Sequence, residues 1–369
     1  VPTDLRVGEG FSNPLGFFDA TPTFSWKLPV GVAGQTAYRV VVGSSEAMLA
    51  GEPDLWDSGR VESGQSTWVA YVGKPLTSRQ RAWWRVQVWD PEGMASGWSE
   101  SAHFELGLLT SADWSAAWMR PEAEEDPEKE SVAYLRREFS VGEDVERARL
   151  YVTARGLFEV HLNGAKVGAD YLAPGWTSYS NRIDTLAYDV TGALRTGRNA
   201  CGVLLGSGWY AGRIGWKHQK DLYGNHPEVL LQLEVTHADG AVERVLSDDQ
   251  WKATWDGPVR ASSLYDGETY DARKEMPGWD QPGFDDAQWG GVVATSEFGP
   301  ARLVPKPFAP VRAMERLSTQ SITEPEPGRF VFDLGQNIVG LAALNIPVEK
   351  DKTVTVRFAE MLNQDGTMY

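Results

Sequence analysis

Leu157-Phe158-Glu159-Val160-His161-Leu162-Asn163-Gly164-Ala165-Lys166-Val167 is the stretch that decides the fold class. Six residues alternate in character and so read as a half-buried strand. Asn-Gly follows, and both residues tolerate positive φ, so the pair predicts a tight hairpin turn. The same grammar repeats outward. Ala148-Arg149-Leu150-Tyr151-Val152-Thr153-Ala154 reads as a strand before it, and Val203 to Leu205 and Val229 to Thr236 as strands after it. Asp239-Gly240 makes a second hairpin turn ahead of Ala241 to Leu246. Helical periodicity is absent, so residues 131–298 are expected to form a second, larger antiparallel sandwich.

Toward the N-terminus the pattern persists. Ala37 to Gly43 is β-branched and aromatic, and Trp83 to Trp89 alternates with Trp84, Val86 and Val88 on one face. Asp90-Pro91-Glu92-Gly93 has the residues of a β-turn, and Ala102 to Leu106 closes the region. Only Ser45 to Leu49 reads as a helical turn. About seven short strands in some hundred residues match an immunoglobulin-like sandwich, here of fibronectin type III character, over 1–108. Residues 109–130 read as a connector: between Glu122 and Glu130 lie six acids and one lysine, too polar to bury a core. Val304 to Val311 reads as an extended proline-rich linker. Beyond it, Arg329 to Asp333 and Thr353 to Phe358 read as strands of a third β-domain over 299–369, and Asp365-Gly366 as another hairpin turn. A turn with no returning strand predicts that this third domain is cut short or minimal. The fold class is therefore all-β, with tandem antiparallel sandwiches.

Composition bounds the function. The chain has 369 residues and a net charge of −16, without the cationic surface that binding to nucleic acid requires. Such a surface also repels anionic lipid, and no window approaches the roughly 18 unbroken apolar residues of a membrane helix. Neither nucleic acid nor membrane is expected as a partner. The single cysteine, Cys201, flanks an apolar run and reads as a small buried hydrophobe. The chain begins at Val1 rather than Met, so the lack of a leader says nothing and leaves cytoplasmic and secreted locations open.

No nucleotide-binding, zinc-protease, serine-hydrolase or calcium-hand motif is present; Gly206 to Gly212 has the wrong spacing for a dinucleotide loop. The five histidines are scattered, and His161 reads as structural. Sixteen tryptophans are the outlier. Most are expected in cores, but some stand in Gly-rich loops beside amides and hydroxyls, as carbohydrate sites require. Trp176 and Asn181 belong to one such cluster, Pro174 to Arg182, and Trp209 and Tyr210 with Asn225 and the rest of Tyr223 to Pro227 to another. Asp266, Glu268 and Asp271 form an acidic cluster, read either as the paired carboxyls of a glycosidase or as a polar loop neutralised by Arg273.

Several of these stretches, in order, resemble the N-terminal, galactose-binding-like jelly-roll domain of bacterial α-L-rhamnosidases of the glycoside hydrolase family 78 type, which implies a jelly roll over 131–298. They are Leu162 to Gly168, Leu172 to Thr177, Tyr188 to Thr191, Gly208 to Gly212, Tyr265 to Arg273 and Phe284 to Trp289. Phe332 to Gly340 and Arg357 to Tyr369 resemble the opening of the family's next β-domain, and Asn13 to Gly16 with Leu55 to Gly59 its leading fibronectin-like module. The resemblance implies a protein that hydrolyses terminal α-L-rhamnosyl residues with inversion. It also implies that the acid and base sit in an (α/α)₆ barrel following these domains. No catalytic residue is therefore expected within this chain, and Asp266 and Glu268 become structural or ligand-binding candidates. The implied partners are rhamnose-containing glycosides and the barrel of the same protein. The alternative is a free-standing carbohydrate-binding module without chemistry. Some relatives bind rhamnose through calcium in this domain. Thr177-Ser178-Tyr179 lacks the acid that many of them carry after the threonine, which counts against a calcium site here, since calcium needs hard oxygen ligands.

Overall fold

The computed structural model describes residues 1–125, 130–215, 217, 219–347 and 351–369. Positions 126–129 of the expected acidic connector lie outside the described residues. The chain divides into one unit over Val1–Val311 and a second over Arg312–Tyr369.

The first unit opens with a sandwich. One sheet has the order β1 (Thr3–Val7), β3 (Thr23–Lys27), β7 (Val69–Ala70). The other runs β2 (Leu15–Phe17), β9 (Ala102–Leu106), β8 (Arg81–Trp89), β4 (Ala37–Gly43), β5 (Trp56–Asp57), with β6 (Val61–Glu62) also on β4. Strand β8 alternates half-buried and buried along all nine residues, with Ala82, Trp84, Val86 and Val88 inward, as the sequence predicts. Phe24 and Trp84 pack at 4.4 Å in the centre. The expected helical turn is α1 (Glu46–Ala50), capped by the Ser45 hydroxyl, which accepts from the Met48 N–H.

A second sandwich follows. Its larger sheet has the order β23 (Val292–Thr295), β10 (Trp118–Pro121), β18 (Glu228–His237), β12 (Val145–Arg155), β16 (Arg182–Asp189), β24 (Arg302–Pro305), with β19 (Val242–Leu246) on β18. The facing sheet runs β14 (Ala165–Lys166), β13 (Leu157–Leu162), β17 (Gly197–Gly206), β11 (Ala133–Val141), β20 (Lys252–Thr254). A separate hairpin pairs β21 (Val259–Ser263) with β22 (Gly267–Tyr270). Asn163-Gly164 makes the predicted turn between β13 and β14, with φ of 52° and 89°. Cys201 is buried in the core between the sheets, where desolvation pushes its thiol pKa up.

The sheet reaches past both ends of the span 131–298. Strand β10 lies inside the expected connector, because Trp118 and Met119 are apolar enough to be buried there. Strand β24 takes in Val304 and Pro305 of the expected linker and pairs parallel with β16; proline is tolerated because β24 is an edge. Strands β12 and β18 are buried on both faces. One face meets the facing sheet, and the other carries a further cluster with Leu108, Trp114, Trp118, Tyr151, Ile183, Leu230 and Leu303. That double burial leaves every residue of Val229–Val235 buried, Gln232 and Glu234 included.

In the second unit Ser321–Glu326 and Arg329–Asp333 pair antiparallel, and the Asp365-Gly366 turn is closed by a bridge between Leu362 and Met368. The expected strand at Thr353–Phe358 is not formed. No partner strand lies beside it among the described residues, and an unpaired strand leaves its backbone groups to water. No helix of the described residues is long and apolar enough to cross a membrane.

Candidate carbohydrate site

The three aromatic loops converge at one end of the second sandwich. Trp176 and Trp209 lie parallel, with ring centroids 6.2 Å apart and planes 4° from coplanar. The Trp176 indole N–H donates to the Tyr223 hydroxyl at 3.3 Å. Tyr179 packs edge-on against Tyr210 at 5.2 Å and tilted against Tyr223 at 5.0 Å. This cluster grows out of the buried one behind the sheet, against which Trp209 and Tyr210 are packed. Trp176 itself is 53% exposed.

The local geometry explains why these loops are rich in glycine. Helix α2 (Gly208–Ala211) begins at Gly208 with φ of +52°, and a Cβ there would stand 2.5 Å from Leu157 Cγ. At Gly224 a Cβ would stand 2.4 Å from the Tyr210 ring and hydroxyl, so only glycine lets the 221–227 loop close over Tyr210. The Trp176 loop is held from below. The Lys306 ammonium donates to the Pro174 carbonyl at 2.6 Å, and the Tyr179 hydroxyl to the Gly175 carbonyl at 3.1 Å. Lys306 is buried, lies 3.6 Å from the buried Asp184 carboxylate, and has its pKa lowered by desolvation against the pull of that carboxylate. Burial likewise pushes Asp184 up.

The other candidates divide. Asn181 is exposed and donates to the Ser178 hydroxyl at 2.8 Å. Asn225 is exposed beside Gly224 and makes no hydrogen bond to a described residue. Asp266 is brought to this end through Arg213, two residues beyond α2, which pairs with it at 2.5 Å. Glu268 is carried on the same hairpin, exposed and without an ion pair to a described residue. Asp271 takes the polar-loop reading. Arg273 grips it at 2.7 and 2.8 Å and holds its carboxyl down at about 2, which keeps it ionised and unable to act as an acid. Sequence reasoning missed Arg213 and Lys306. Only an arginine inside an otherwise Gly- and Trp-rich loop hinted at the first.

The Thr177 loop offers hydroxyls but no carboxylate. The Thr177 hydroxyl accepts from the Arg182 guanidinium at 3.1 Å, which sets a positive charge beside the loop. Among the described residues no group of three or more His, Cys, Asp or Glu could hold a metal ion.

Residues 2–110 match the N-terminal immunoglobulin domain of Rha78A-like proteins, 143–315 the α-L-rhamnosidase N-terminal domain, and 323–369 the bacterial α-L-rhamnosidase concanavalin-like domain. These are N-terminal domains of the α-L-rhamnosidase family. An α-L-rhamnosidase of Formosa agariphila is 46% identical over 99% of this chain, and one of Alteromonas sp. 44% identical over all of it. The α-L-rhamnosidase of Streptomyces avermitilis, solved in complex with L-rhamnose, superposes over 99% of the chain with a TM-score of 0.90 at 32% identity. The chain spans 40% and 41% of the two sequence relatives and 52% of the Streptomyces structure. The match to a concanavalin-like domain names the third β-domain, whose type the sequence left open.

Proposed function

We propose that this chain is the non-catalytic N-terminal region of an α-L-rhamnosidase that hydrolyses terminal α-L-rhamnosyl residues with inversion. Its β-domains support a catalytic (α/α)₆ barrel of the same protein and hold rhamnoside at the Trp176 end of the second sandwich. The observation that carries the binding role is the parallel Trp176–Trp209 pair, one ring half-open to solvent and ringed by the hydroxyls and amides of Tyr223, Ser178 and Asn181. Carbon–carbon contact needs about 3.5–4 Å on each face. A pyranose between the two indoles would need roughly twice that, more than the 6.2 Å separation. The sugar therefore stacks on the outer face of Trp176, and Trp209 acts as its backing. Recognition needs no calcium, because Arg182 occupies the threonine of the loop.

The non-catalytic reading rests on the carboxylates. Asp266 is paired with Arg213, and exposed Asp271 is gripped by Arg273, which keeps that carboxyl ionised and unable to serve as an acid. Two experiments test the proposal. This chain should not hydrolyse an aryl α-L-rhamnoside above a buffer blank, and turnover lost in Asp266→Asn would restore the self-sufficient glycosidase. Calorimetric titration of L-rhamnose should show binding that a chelator leaves unchanged and that Trp176→Ala weakens about tenfold or more, roughly 1.4 kcal/mol. Equal binding by Trp176→Ala and Trp209→Ala variants would rule out this site.

A further inference from the structure

The first sandwich carries a second groove with the same chemical signature, remote in sequence from the Trp176 loops. A depression of 420 Å³ is lined by Tyr38, Trp56, Ser58, Gln65, Trp68 and Val72, among others. Trp56 and Asp57 also line a neighbouring depression of 520 Å³ with Glu52, Asp54 and Lys74. The two meet at Trp56 and form one open trough along the edge strand β5.

Trp68 and Val72 stand on this trough 66% and 74% exposed. Trp68 does so at φ of +52°, a conformation bulky side chains rarely adopt. It is held there by its N–H donating to the Ser25 hydroxyl at 3.0 Å and its carbonyl accepting from the Gln65 amide at 3.1 Å. Trp56 is rigid: it stacks on Phe24 at 6.2 Å and 20°, and Tyr71 meets it edge-on at 5.4 Å. The structure thus displays one indole and braces another beside amide and hydroxyl groups.

We infer that this trough is a second carbohydrate-binding site, which takes a neutral, linear stretch of pyranose residues. Two indoles provide stacking faces, and the length of two joined depressions fits more than one ring. Charge excludes acidic sugars. Asp57 is neutralised by a bidentate pair with Arg39, but Glu52 and Asp54 leave the trough negative, with only Lys74 opposing them. A peptide strand is disfavoured because the edges offered, β5 and β7, are two residues long each. The inference depends on the α-L-rhamnosidase reading only through the expectation that glycans are the chain's ligands.

The test is ¹⁹F NMR on the 369-residue chain labelled with 5-fluorotryptophan, titrated separately with cellohexaose, mannohexaose and L-rhamnose. Resonances of Trp56, Trp68, Trp176 and Trp209 are assigned by single Phe substitutions. Saturable shifts of the Trp56 and Trp68 signals with either hexaose are expected, weakened about tenfold or more by Trp68→Ala and also by Val72→Lys, whose side chain is too exposed to disturb folding. The Trp176 signal should follow L-rhamnose independently, so failure of one site is distinguishable from failure of the other. Unmoved Trp56 and Trp68 signals with both hexaoses would overturn the inference. So would shifts that track protein concentration instead of sugar, which would mark a contact between copies.

Discussion

His161 shows how one residue acquires a role that its strand position does not announce. Its Nδ1 lies 2.8 Å from Asp280 Oδ2 and its Nε2 2.9 Å from Glu159 Oε1, so both ring nitrogens face carboxylates. Lys166 also pairs with Glu159, at 2.5 Å, and Trp279 covers the ring. Burial alone would push the His161 pKa down; the hydrogen bonds and charges of Glu159 and Asp280 outweigh it and raise it. Glu159 is held at about 2, chiefly by His161. A raised histidine contributes stability below its unfolded value of 6.5 and loses it as pH rises through the folded value. A lowered glutamate contributes above 4.5 and loses it as pH falls toward 2. The Trp279–Gln281 segment should therefore hold most firmly between pH 4.5 and 6.5. In His161→Gln, the fall in urea midpoint above pH 6.5 should be smaller than in the parent. An unchanged pH profile would show that the imidazolium contributes nothing.

At the scale of elements, β24 ties a sheet edge to the Trp176 loop. Its pairing with β16 places Lys306 under the Pro174 carbonyl and beside Asp184. Lys306→Met removes the donor that fixes the Trp176 loop and strips Asp184 of a buried counter-charge. Breaking one partner of a buried pair typically costs about 3–5 kcal/mol. The variant should lose that order of stability in chemical denaturation, and the 174–181 amides should exchange faster with deuterium. L-rhamnose affinity should fall as well, although Lys306 donates to the backbone and is not proposed to touch sugar. Native-like exchange in that loop would mean that β24 does not hold it.

Across the first unit, the two sandwiches are joined by charged side chains taken out of water. Arg149 of the second grips Glu105 of the first at 2.7 and 2.9 Å, with both side chains under 10% exposed. Arg79 of the first answers with Glu234 at 2.7 and 2.9 Å and with Asp113 at 3.1 Å. Glu105→Ala should lower stability by about 3–5 kcal/mol, since it leaves the buried Arg149 guanidinium with only the exposed Asp189 carboxylate, at 3.0 Å, to pair with. Glu105→Leu combined with Arg149→Met should recover much of the loss, because well-packed apolar residues often replace a buried pair at little cost. Urea denaturation followed by tryptophan fluorescence checks both. A Glu105→Ala variant as stable as the parent would show that the sandwiches do not depend on this bridge.

The all-β character, the hairpin at Asn163-Gly164 and the inward face of β8 were legible in the sequence because each depends on local rules. Alternation selects a strand, and positive φ selects Asn and Gly. The aromatic loops were legible as candidates because tryptophan beside glycine and amides is a compositional signal. The meeting of the Trp176 loop with the other two was not, since residue 176 reaches 209 and 223 only after the strands between them have paired. The same holds for β10 and β24, whose place in the sheet depends on partners more than a hundred residues away. Charge pairing follows the same logic: Arg213 with Asp266, Lys306 with Asp184 and Arg149 with Glu105 are neighbours only in space. Local conformational preference is written along the chain, whereas proximity across it is decided by which apolar faces close on one another.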